Sequence, residues 1–134
     1  MDKATDTFLT VNPKFESSRV RFSFFCLDIK DKETKKVKFG DSKKFFNKLS
    51  HIEKLTWKQW IKEGANSGLN FEKEETDMFK EIQKATEDKI FERLITMPFH
   101  FRIDQGYRVF GIQYDDRFMI THIDPNHKKQ KSFT

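Results

Sequence analysis

Between Pro98 and Asp124 the apolar residues fall into three short runs, Phe99–Ile103, Tyr107–Tyr114 and Phe118–Ile123. Asp104-Gln105-Gly106 and Asp115-Asp116 separate them, and both are turn-forming clusters. Connections this short join neighbouring antiparallel strands, so the pattern predicts a three-stranded meander. Side chains alternate across a strand. In the first run Phe99, Phe101 and Ile103 therefore share one face, and His100, Arg102 and Asp104 the other. In the second, Arg108 falls with Phe110, Ile112 and Tyr114. In the third, strict alternation sets Met119, Thr121 and Ile123 against Phe118, Ile120 and His122. The arginines imply a sheet with one face on a core and the other in a half-open cleft.

Upstream, Arg19–Asp28 alternates Val20, Phe22, Phe24 and Cys26 against Arg19, Arg21 and Ser23, which predicts a first strand. Residues 1–17 are polar and broken by Asn12-Pro13, so an extended arm is expected. Lys30–Lys38 is a charged tip, read as a solvated loop or as a mobile basic contact for phosphates. Asp41-Ser42 can cap a helix with Phe45, Phe46, Leu49 and Ile52 as its stripe. Thr56 can cap a second, short helix that Gly64 stops, with Trp57, Trp60 and Ile61 as its core face. Ala65–Asn70 reads as a loop. A third helical segment is expected from about Glu72 to Ile95, weakly apolar at Lys84–Lys89 and open to a break there. The order is strand, helices, then three strands. It predicts one α+β domain over residues 1–134, with two or three helices covering one face of an antiparallel sheet of about four strands.

Composition narrows the setting. The 134 residues suit one domain, and sixteen phenylalanines point to an aromatic core. No run approaches the roughly 18 apolar residues of a membrane span, and the N-terminus lacks a secretory pattern. A single cysteine, Cys26, excludes an internal disulfide and suits a reducing, cytoplasmic setting. Its strand-like surroundings mark it as a buried structural thiol. The net charge of +5 favours acidic partners, RNA or an acidic protein.

His51, His100, His122 and His127 show no ligand spacing for a metal, and no Gly-rich phosphate loop is present, so neither metal nor cofactor is expected. What the meander does offer is arginine and histidine together. Metal-independent RNA cleavage needs a base for the ribose 2′-OH, an acid for the leaving oxygen and cations for the phosphorane. Histidine suits the proton transfers, and arginine binds phosphate through two donors. His100 and His122 suit structural hydrogen bonding as well as RNA contact. His127 follows Asp124-Pro125-Asn126 at a strand end, beside Lys128 and Lys129, where a working imidazole can reach a substrate.

The run Gly106-Tyr107-Arg108-Val109-Phe110, then Asp115-Asp116, then an apolar strand ending in Asp124-Pro125-Asn126-His127-Lys128-Lys129, resembles the C-terminal half of RelE/ParE/HigB-like toxins. The likeness covers about a quarter of the chain. It implies a RelE-like fold and an mRNA endonuclease, acting on free or ribosome-bound RNA and restrained by an antitoxin. By motif position Arg108 resembles the family's phosphate-stabilising arginine, Arg102 a second cation and His127 the proton-transfer residue. Lys128, Lys129 and Lys131, with His100 and His122, would hold RNA. Phe133 stands near where such toxins often carry a tyrosine. The alternative is a non-catalytic basic protein, an inhibitor or accessory factor, that holds RNA or an acidic protein on the same surface.

Overall fold

The computed structural model describes residues 9–92 and 94–126. Those residues form five strands and three α-helices in the order β1 (Arg21–Ser23), α1 (Phe39–Ile52), α2 (Trp57–Gly64), β2 (Asn70–Phe71), α3 (Asp77–Ile90), β3 (Phe99–Asp104), β4 (Tyr107–Tyr114) and β5 (Arg117–Asp124). One sheet contains all five strands, in the order β1-β5-β4-β3-β2. The meander forms as its turn residues dictate, with Asp115 taking the positive φ (56°) that a two-residue connection between Tyr114 and Arg117 requires. The fold class is α+β, but the sheet has five strands rather than four. The fifth, β2, begins at Asn70, the last residue of the stretch that reads as loop. At two residues it is too short to carry a period, and only its pairing with Phe99 and His100 defines it. β1 runs parallel to β5, so the sheet is not wholly antiparallel.

β1 is also shorter than the Arg19–Asp28 run. The chain turns after Ser23, with Leu27 N donating to the Phe24 carbonyl (3.1 Å), and Phe24 and Phe25 are left exposed. It then returns to the sheet, where Asp28 N donates to the Thr121 carbonyl (2.8 Å). The charged segment that follows is no free tip. Thr34–Lys36 forms a 3-10 turn against β5, and Ile123 N donates to Thr34 Oγ1 (3.0 Å).

Helices cover both faces of the sheet, not one. Phe45, Leu49 and Ile52 of α1 and Trp57 and Trp60 of α2 pack on Phe99, Phe101, Val109, Phe118, Ile120 and Ile123. On the opposite face Met78 and Ile82 of α3 pack with Cys26 on Phe110, Ile112 and Met119. α2 begins as its sequence demands: Thr56 and Gln59 exchange side-chain and backbone hydrogen bonds in a capping box. α3 starts later than the apolar stripe suggests, at a Thr76 cap, and runs unbroken through Lys84–Lys89. Phe91 ends it in the left-handed region (φ 61°). No described helix is long and apolar enough to cross a membrane.

The register shifts twice, at Ile103 in β3 and at Thr121 in β5, and the second reorders the faces of β5. Phe110 pairs with His122 but Gly111 pairs with Ile120, so Thr121 is an extra residue in β5, a bulge. Gly111 makes this possible, because a Cβ there would run into the Met119 carbonyl oxygen and lie 2.8 Å from the Phe118 ring. The extra residue reverses the alternation beyond it. Ile123 therefore joins Phe118 and Ile120 on the α1/α2 side, while His122 and Asp124 fall on the α3 side with Arg108 and Phe110.

Candidate functional site

The α3 side of the sheet carries two polar rows across β3, β4 and β5. Arg102, Arg108 and Asp124 are direct cross-strand neighbours, as are His100, Phe110 and His122. The structure thus brings Arg102 and Arg108 together as the sequence implied, and adds Asp124 and Glu72, which it did not. His127, Lys128, Lys129 and Lys131 lie outside the described residues.

Like charges placed directly opposite each other on a sheet repel. Here both are withdrawn from water as well. Arg108 is 5% exposed, and Arg102 is half-buried, its stem crossing Gly68 so closely that a Cβ there would sit 2.7 Å from Arg102 Cδ. Gly68 also holds a positive φ of 96°. Arg108 Nε and Nη1 and Arg102 Nε are buried with no hydrogen-bond partner among the described residues. Burial pushes the Arg108 guanidinium below its usual pKa, and Arg102 adds to the effect; Asp124 and Glu72 oppose it. The net environment disfavours the charge. An arriving anion would supply acceptors for the orphaned donors and relieve the repulsion between the two cations.

His100 stands two residues before Arg102 on β3. It is 3% exposed and no surface contact for a polymer: its Nδ1 lies 2.7 Å from Glu72 Oε1, also buried. A carboxylate can only accept, so Nδ1 is the donor nitrogen and the ring's orientation is fixed. Glu72 reaches it because Glu72 N donates to the Pro98 carbonyl (2.9 Å), which holds it beside the sheet edge. It belongs to the β2 connection and not to α3, which is why a helical reading of Glu72–Ile95 missed the pair.

His122 lies apart from the arginines, beyond Phe110, at the floor of a cleft of about 560 Å³ between α3 and the loop after β1. Asp28, Lys30, Glu81 and Lys89 line its walls. Cys26 lines it too, but is buried, and burial raises its thiol pKa against a smaller opposing pull from Lys89. The thiolate is the reacting form. Cys26 is therefore expected to resist alkylation by iodoacetamide in the native protein at neutral pH and to react fully once the chain is denatured, as mass spectrometry would read.

No protein-family model, curated protein or solved structure matches the chain. Its own residues carry what can be said of its function.

Proposed function

We propose that this chain is a metal-independent RNA endonuclease of a toxin–antitoxin-like system, in which Arg102 and Arg108 receive the scissile phosphate. One observation carries the reading: two cross-strand guanidiniums whose buried N–H groups have no partner among the described residues. Such an arrangement is costly when empty and favourable with a phosphate seated. In this reading the arginines stabilise the charge that develops on the non-bridging oxygens as the 2′-OH attacks. The 2′-OH loses its proton to a base, and the 5′ oxygen leaves with a proton from an acid, giving a 2′,3′-cyclic phosphate. His127 is the proposed proton-transfer residue, and Lys128, Lys129 and Lys131 the backbone contacts. His100, oriented by Glu72, stands two residues before Arg102 on the same face of β3. A cognate antitoxin that covers the basic surface is the expected partner.

The net charge of +5, with His100 buried rather than open to a substrate, favours a second reading, a basic protein that binds RNA or an acidic partner and cuts nothing. One experiment separates the two. Purified protein is incubated with RNA, with and without ribosomes, and binding is followed across a salt series. The nuclease reading expects cleavage that ends in cyclic phosphate. Intact RNA with binding that weakens steeply as salt rises favours the second reading, because phosphate contacts release counterions. Intact RNA without binding overturns both.

A further inference from the structure

We propose that Asp28, Asp31 and His122 form a binding site for a divalent first-row cation, beside Glu81 of α3. The site is separate from the arginine pair and does not depend on the nuclease reading.

These side chains come from three parts of the fold. Asp28 and Asp31 lie in the loop after β1, His122 on β5 and Glu81 on α3. One donor atom from each of Asp28, Asp31 and His122 lies within 4.8 Å of the others. His122 Nε2 is 3.7 Å from Asp28 Oδ2 and 3.8 Å from Glu81 Oε1. These separations exceed a hydrogen bond and are close to the roughly 3–4 Å between ligands that share an ion at bonds of about 2.1 Å.

The second observation is the imidazole itself. His122 is 1% exposed, and its Nε2 is turned towards carboxylates. Its Nδ1 lies 2.8 Å from Thr121 Oγ1, and Thr121 Oγ1 donates to the Phe110 carbonyl (3.3 Å). With its hydrogen committed there, the hydroxyl accepts from Nδ1–H. In the neutral ring this directs the Nε2 lone pair into the cleft. A ligating histidine ordinarily has this arrangement, its other nitrogen donating to a fixed acceptor. The carboxylates are set in place in the same way. Asp28 Oδ1 accepts from Lys30 N (3.1 Å), which turns Oδ2 to the imidazole, and Asp31 Oδ2 accepts from Thr34 N and Thr34 Oγ1 (both 2.9 Å). The Thr121 bulge aims His122 into this cleft, and the Thr121 carbonyl anchors Asp28 beside it.

One imidazole with carboxylates suits zinc or manganese better than magnesium or calcium, and zinc is expected to bind more tightly than manganese. A bound cation would tie the β1 loop, β5 and α3 together, so its first effect is on stability.

The test titrates Zn2+ alone into the metal-free full chain by calorimetry, beside thermal melts. Wild type is expected to take one Zn2+ and to melt at a temperature that rises and then saturates at one equivalent. Asp28→Asn and Asp31→Asn keep the backbone hydrogen bonds and are expected to weaken binding at least about ten-fold. Glu81→Gln should weaken it less. Nitrogen NMR of the His122 ring gives a second readout: Zn2+ should shift Nε2 and leave Nδ1 protonated. Absence of saturable binding overturns the proposal, as does affinity unchanged in both aspartate variants. So does an imidazolium at His122 that Zn2+ leaves unmoved, since the cluster is then an ordinary charge pair.

Discussion

Replacing Arg108 with methionine is expected to reduce RNA cleavage by about 10²–10³-fold while leaving the melting temperature unchanged or higher. The two halves of this expectation have one cause. Arg108 is a cation taken out of water, opposed by Arg102, with two N–H-bearing nitrogens that have no partner among the described residues. Each buried unsatisfied donor costs about 1–3 kcal/mol. Asp124 and Glu72 offset part of that through their charge. Methionine fills similar volume and carries no charge, and well-packed apolar replacements of buried ionic groups are often neutral or stabilising. In the proposed reaction the loss would go the other way, because the phosphorane would then lack a preorganised donor. Gel-resolved cleavage of a defined RNA and differential scanning calorimetry on the same preparation would check both. A melting temperature that falls by several degrees would mean that Arg108 is a structural partner of Asp124, and the phosphate-site reading would lose its support.

Trp60→Ala is expected to destabilise the chain by about 3–5 kcal/mol, the range for deleting a large buried aromatic side chain. For 134 residues that corresponds to a fall in Tm of roughly 10–20 °C. Trp60 is 4% exposed, and its ring centroid lies 5.2 Å from Phe101, 5.3 Å from Phe99, 5.6 Å from Phe118 and 5.9 Å from Phe22, all near edge-on. Removing it takes the α2 anchor from β1, β3 and β5 at once. Partners on three strands cannot all close the gap without breaking the sheet register, so most of the cavity should persist. Ile29→Ala is the contrast. Ile29 is equally apolar in the sequence but 71% exposed, and its loss should cost less than about 0.5 kcal/mol. Urea denaturation of both variants against wild type would check the pair.

These expectations differ in how much of each could be read from the chain itself. The rings of Trp57 and Trp60 are core because helical spacing behind a Thr56 cap leaves them no other face, and that is local information. The meander is local too: two turns of a few residues can only join adjacent strands. Arg102 and Arg108 meet for that reason, being nearly equidistant from the turn at Gln105-Gly106.

Local pattern therefore sets the α+β class, the α2 helix with its cap, the three C-terminal strands and the meeting of two arginines. Tertiary structure decided the rest. Glu72 reaches His100 only because a two-residue strand pairs at the sheet edge, and α3 takes the face opposite α1 and α2 although all three helices carry similar apolar stripes. Thr121 bulges only because Gly111 across the ladder has no Cβ, and that one extra residue turns His122 and Asp124 from their expected faces to the side of Arg108. Periodicity records which residues are buried along one element. It carries no record of which element buries them, or of an extra residue that the partner strand alone makes possible.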